Sequence, residues 1–293
     1  MTDLGLLTYF LGIEFLRTNC GTFMLQRKYV IDMLKKFNKK GCNSAETPAD
    51  MNVKLESSTE EDKVDCTMYR QIVGCLRFVC HTRPDISYSV GVVSRFMSDP
   101  RKSHLVAAKR ILRYLQGTAS FGILFPYQKE KVCLQLVAYS DSDWCGDKVD
   151  RRSTMGYVFF LFGVPICWCS KKQDVIALST CEAEYISACN AACQANWITY
   201  LLEELNVKMS GNVELLVDNK SAIDLAKNPV SHGRSKHIET KFHFLRDQVN
   251  KGKIDLKHCK TDLQVADIMT KALKIDRFKM LRKMMCVVNS ASV

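Results

Sequence analysis

The sequence predicts an α/β domain on a mixed sheet with flanking helices, preceded by a smaller α+β region. Three observations carry this. From about residue 131, three strand-like runs are followed by helices and strands in alternation. The pattern changes around Phe125-Pro126, which marks a boundary. Four acidic residues, Asp141, Glu184, Asp218 and Asp267, fall in turn at a strand end, a helix start, a strand end and a helix start. The divisions that follow are residues 1–127, 128–274 and a tail, 275–293.

In the first region, TYFLGIEFLR and GTFMLQRKYV read as two strands around the turn Asn19-Cys20-Gly21. VIDMLKKFN reads as a short helix with Ile31, Leu34 and Phe37 on one face. Lys35, Lys36, Lys39 and Lys40 lie near its end, where cations suit the helix dipole. Residues 41–66 are polar, contain Pro48 and the run Glu60-Glu61-Asp62, and read as a loop or arm. A helical pattern in CTMYRQIVGCLRFVCHT is stopped by Arg83-Pro84. SHLVAAKRILRYLQGT reads as a helix capped by Ser103, with Leu105, Ala108, Ile111, Leu112 and Leu115 inward and Gly117 at its end. Its other face carries Lys109, Arg110 and Arg113, which would suit a nucleic-acid backbone or simply a solvated surface.

The second region reads as a strand (131–140), a hairpin (155–170), a long helix (181–205), a strand (213–218), helices (219–227 and 238–250), a strand (254–259) and a last helix (265–273). Carboxylates that end strands or open helices can converge at one sheet edge. Four of them repel one another unless divalent cations are bound, so the set is a candidate two-metal site for phosphodiester hydrolysis. Glu182 and Glu184 lie two apart and cannot share a helix face, so only one of them faces the site. Asp143 reads as a turn residue or an outer neighbour of Asp141, and Asn219 as a helix cap. His232, Arg234, Lys236 and His237 form a basic cluster suited to substrate phosphate or to solvent. Trp168 and Gln173 read as packing residues.

Composition narrows the class. At 293 residues, 47% hydrophobic and 25% charged, the chain is globular and not disordered. Lys+Arg outnumber Asp+Glu by 42 to 31, formally +11, which fits a polyanionic partner such as nucleic acid. The 14 cysteines include no CxxC pair, and no secretory signal opens the chain. They read as reduced thiols of an intracellular protein, in cytoplasm or nucleus, with no trusted zinc spacing. The longest apolar stretch, YVFFLFGVPICWC, is too short for a membrane span and is broken by Gly163 and Pro165.

Four segments then resemble one family closely. YSDSDWCGDKVDRRSTMGYVFFLFGVPICWCSKKQ, ALSTCEAEYISAC, LVDNKSAIDLAKNPVSHGRSKHIETKFHFLRDQV and DLQVADIMTKAL are similar to the ribonuclease H domain of copia-type retrotransposon Pol polyproteins. Upstream, TYFLGIEF, YRQIVGCLRFVCHTRPDISYSV and HLVAAKRILRYLQGT resemble the reverse transcriptase thumb and connection region of the same polyproteins. The resemblance implies a ribonuclease H-like fold that cleaves the RNA strand of RNA–DNA hybrids with two Mg²⁺ ions, for which Mn²⁺ would substitute. It implies that Asp141 bridges both ions, Glu184 and Asp218 hold one, and Asp267 holds the other, with Glu184 matching the family's metal-binding Glu and Glu182 as the fallback. The polymerase centre of the family needs a Tyr/Phe-Val-Asp-Asp turn, which this sequence lacks, so primer extension is not expected. LVDN at 216–219 belongs to the nuclease pattern. Cys145, Cys181 and Ala272 depart from the family pattern without removing a carboxylate. An absent upstream polymerase region is an implied partner. The alternative reading is a non-catalytic, nucleic-acid-binding remnant.

Overall fold

A computed structural model describes residues 5–53, 55–56, 60–127, 134–147, 149–227 and 239–292, the side chains of 239–242 excepted. The chain forms two compact units, Met1–Lys129 with Ala272–Val293, and Glu130–Lys271.

The first unit begins with β1 (Tyr9–Phe10), β2 (Ile13–Arg17) and β3 (Gly21–Leu25). The stretch expected as one strand, 8–17, is a hairpin in its own right. Tyr9 pairs with Glu14 across Leu11 and Gly12, whose φ values of 48° and 81° suit a two-residue turn of primed type. Helix α1 (Arg27–Lys36) starts earlier than the pattern suggested and buries Val30, Met33 and Leu34; Ile31 and Phe37 lie half-buried. Helix α2 (Cys66–Val79) is capped by Asp65, which accepts from the Thr67 N–H at 2.8 Å. A 3₁₀ turn at Pro84–Ile86 leads into α3 (Ser87–Ser94), then α4 (Lys102–Gly117) and β4 (Phe121–Pro126).

Three expectations for this unit need correction. Ser103 does not cap α4. The helix starts two residues earlier, Arg101 is the cap with its N–H donating to His104 Nδ1 at 3.0 Å, and the Ser103 N–H donates to Glu61 Oε2 at 2.9 Å. The basic face is also largely committed. Arg110 donates to the Thr47 carbonyl and pairs with Asp50 at 3.0 Å, and Arg113 donates to the Asn43 carbonyl at 2.9 Å, so both staple the polar arm onto α4. The 275–293 segment is no tail. It forms α9 (Ile275–Met284) and β10 (Val287–Asn289), and β10 completes the sheet by pairing with β4, giving the order β1-β2-β3-β4-β10. The reason lies in its apolar spacing: Phe278, Leu281 and Met285 are buried on one helix face.

The return is also tied by a buried ion-pair network. Arg83 and Asp85 are both almost fully buried and pair in bidentate fashion at 2.9 and 2.8 Å. Arg83 donates further to the Thr118 carbonyl, and the Tyr114 hydroxyl donates to Asp85 at 2.6 Å. From α9, Arg282 reaches the Tyr114 hydroxyl at 3.0 Å. Burial penalises the Asp85 carboxylate, but Arg83 and Tyr114 outweigh it and hold its pKa below the usual range.

The second unit is a mixed five-stranded sheet, ordered β7-β6-β5-β8-β9. Strands β5 (Leu136–Asp143), β6 (Thr154–Leu161) and β7 (Val164–Lys172) are antiparallel. The β6–β7 turn is Phe162-Gly163, with φ of 55° and 74°, which right-handed strand twist selects. Helix α5 (Thr180–Glu204) follows, then β8 (Val213–Val217), α6 (Lys220–Lys227), α7 (Glu239–Asn250), β9 (Ile254–His258) and the single turn α8 (Asp267–Thr270). β8 runs parallel to β5, and β9 parallel to β8. The small residues Ala188, Ala191, Ala192 and Ala195 let α5 lie close over Leu136, Ala138, Leu215 and Val217. This is the expected ribonuclease H-like arrangement of a mixed sheet with flanking helices, except that the last helix is much shorter than 265–273.

Candidate metal centre

Two parallel neighbours set the site. Asp141 lies near the end of β5 and Asp218 directly follows β8, so both reach the same edge of the sheet. Glu184 arrives from the second turn of α5. Ser179 starts that helix by accepting from the Glu182 N–H at 3.1 Å, and the Glu182 carboxylate accepts from the Leu178 N–H at 2.8 Å. Glu182 is thereby occupied at the cap, and Glu184 turns to the sheet, as two residues along a helix require. One oxygen from each of Asp141, Glu184 and Asp218 lies within 4.8 Å of the others.

Asp267 joins this group through a cation. Lys271 Nζ lies 2.9 Å from Asp267 Oδ1 and 3.4 Å from Asp141 Oδ2. Thr270 Oγ1 also donates to Asp141 Oδ2. Close approach of α8 depends on Gly156, which faces Asp141 across the β5–β6 ladder. A Cβ there would stand 2.5 Å from Met269 Cβ and 3.0 Å from Thr270 Cγ2. The backbone is held from behind. Ser187 Oγ donates to the Asp141 carbonyl at 2.8 Å, Gln264 to the Ser140 carbonyl at 3.0 Å, and Gln173 to Ser142 Oγ at 3.2 Å.

Charge is concentrated here. Burial raises the Asp141 carboxyl to about 6, with Lys271 opposing and Asp267 and Asp218 adding to the rise. Burial first, then Asp141 and Asp218, push Glu184 well above the carboxylate range. Burial also raises Asp218. Burial works against the Lys271 ammonium, but Asp141 and Asp267 more than offset it and keep it cationic. Glu184 Oε1 accepts from the Ser142 N–H at 2.9 Å, while the buried Oε2 has no partner among the described residues. An unpartnered buried carboxylate oxygen costs about 1–3 kcal/mol or more. A hard divalent cation is the ligand that three clustered carboxylates would satisfy, and the residues fit Mg²⁺ or Mn²⁺.

Among the other expected residues, Asn219 Oδ1 accepts from the Ala222 N–H at 3.1 Å and caps α6. Lys109 is half-buried on α4. His232, Arg234, Lys236 and His237 lie outside the described residues. Lys271 was not anticipated, although its spacing of four from Asp267 placed it on the same helical face. Among the described residues, no helix is long and apolar enough to cross a membrane.

No family model matches the chain. The Pol polyprotein of Arabidopsis thaliana transposon RE1 is 43% identical over 273 residues, 93% of this chain. The chain belongs to the copia-type retrotransposon Pol family. It spans 18% of the length of that polyprotein. The N-terminal ribonuclease H domain of Rv2228c from Mycobacterium tuberculosis overlays 51% of the chain and 97% of its own length, at 11% identity and a TM-score of 0.36. The foamy viral protease-reverse transcriptase in complex with RNA/DNA hybrid overlays 87% of this copia-type chain and 29% of its own, at 12% identity and a TM-score of 0.47.

Proposed function

We propose that the second unit hydrolyses the RNA strand of RNA–DNA hybrids as a ribonuclease H-type endonuclease. The observation that carries this is the convergence of Asp141, Glu184 and Asp218 within 4.8 Å, with a buried Glu184 oxygen left unpartnered. Family membership supports the substrate class. Asp141, Glu184 and Asp218 would hold one Mg²⁺, and Asp141 with Asp267 a second. Divalent ions held there would supply Lewis acidity, which would lower the pKa of an attacking water and stabilise the leaving 3′-oxygen. The chain's own residues contribute position. Ser187 fixes the Asp141 backbone, the Ser142 N–H orients Glu184, and Gly156 lets Asp267 approach the sheet. The +11 net charge favours a polyanionic substrate.

Lacking a Tyr/Phe-Val-Asp-Asp turn, the chain by itself is read as unable to extend a primer. The test is incubation of the full chain with labelled hybrid and Mg²⁺ beside Asp218→Asn. Cleavage lost in the variant supports the reading. Equal cleavage by both traces to a contaminant, and cleavage by neither leaves a nucleic-acid-binding remnant.

A further inference from the structure

The ammonium of Lys271 stands where a second cation would be wanted. It lies between Asp141 and Asp267, at 3.4 and 2.9 Å, the pair assigned above to the second Mg²⁺. Asp141 also belongs to the group with Glu184 and Asp218; those two have no ion pair among the described residues, and Glu184 retains its unpartnered oxygen. The two halves of the site therefore differ. One is short of positive charge; the other has it supplied by the chain.

We infer that Lys271 is a built-in counter-cation that keeps the second metal position closed in the free protein, so that one divalent ion binds there and the second enters only when the Lys271 ammonium moves away. This rests on the proposed metal-dependent nuclease reading. The physics is competition for the same oxygens. A monovalent ammonium and a divalent ion both seek Asp141 Oδ2, and both cannot occupy it at bonding distance. The lysine can leave, because its side chain is 36% exposed and carries four rotatable carbons, whereas Asp141 and Asp267 are almost fully buried and stay. What draws it out must be an anion that also brings oxygen ligands for the incoming ion. A backbone phosphodiester meets both requirements, which couples completion of the centre to the arrival of nucleic acid. A free centre with one ion would then avoid unproductive activation of water.

The test is the stoichiometry of Mn²⁺ bound to the full chain, followed by electron paramagnetic resonance, with ions also bound by Asp141→Asn subtracted as background. The expected count is one for wild type, one for Lys271→Arg and two for Lys271→Met. A wild-type count of two, or a Lys271→Met count of one, overturns the inference while leaving the metal site standing. A wild-type count of zero removes the metal reading itself. Should Lys271→Met fail to fold by circular dichroism, wild type with and without a hybrid whose RNA strand is 2′-O-methylated decides the matter. A rise from one ion to two supports the inference, and an unchanged count overturns it.

Discussion

Metal-free protein should lose stability as pH rises through the range where Asp141 ionises, and Asp141→Asn should remove that loss. Burial raises Asp141 from 3.8 to about 6 in the folded state. The folded protein then binds the proton more tightly than the unfolded chain, so unfolding releases it between these two values. The Asp141 contribution accordingly falls as pH rises from about 4 to about 6 and is constant above. At 1.36 kcal/mol per tenfold, the gap corresponds to about 3 kcal/mol at neutral pH. For a unit of this size that is on the order of 10 °C in melting temperature. The assay is thermal melting of wild type and Asp141→Asn in a chelator across this range. Near pH 4 the two should melt alike, and at pH 7 the variant should melt higher. Saturating Mg²⁺ should reverse the order, because the ions bind only the folded wild-type centre with its full charge. A difference between the two proteins that does not vary with pH would refute the burial argument. Glu184 and Asp218 are raised as well and act in the same direction.

Other consequences are simpler. Gly156→Ala should push α8 off the sheet, at a cost of about 1–3 kcal/mol, and weaken Mg²⁺-induced stabilisation more than a comparable core change; differential scanning calorimetry with and without Mg²⁺ reads both. Asp85→Asn leaves the buried Arg83 guanidinium without its charge partner and should cost roughly 3–5 kcal/mol, seen in urea melts of the full chain. Affinity for hybrid should fall on a log–log salt plot with a slope of roughly −0.7 to −0.9 per phosphate contact; a flat plot would remove the electrostatic account. Purified protein should incorporate no nucleotide on a primed template, and incorporation would show that another aspartate pair serves polymerisation.

Much of the second unit was legible because its signals are local. The alternation of apolar runs, a hairpin over 155–170 and the placement of Asp141 and Asp218 at strand ends follow from periodicity; that β5 and β8 are parallel neighbours does not. Helix geometry says only that Glu182 and Glu184 face apart; the preference for Glu184 comes from the family resemblance, and the Ser179 cap that occupies Glu182 shows only in the structure. What stayed hidden depends on long-range partners. The Leu11-Gly12 turn is a local exception: Tyr9 pairs with Glu14, five residues on, inside a stretch read as one continuous strand. Ser103 loses its capping role to Arg101 because Glu61, 42 residues away, takes its N–H. Arg110 and Arg113 looked like a free basic face until the polar arm folded onto them. The return of 275–289 to β4 joins residues far apart in sequence. Lys271 was overlooked because lysines are common, and only its neighbours make it a cation among carboxylates.

With divalent ions held by these carboxylates, the chain should cut the RNA strand of a hybrid. The most direct test is a hybrid labelled separately on each strand, incubated with the full chain and Mg²⁺, with the product ends identified. Cuts should fall in the RNA strand alone, leave 5′-phosphate and 3′-hydroxyl ends, and be lost in Asp218→Asn. Products bearing 2′,3′-cyclic phosphates, or cleavage that persists in a chelator, would contradict that expectation.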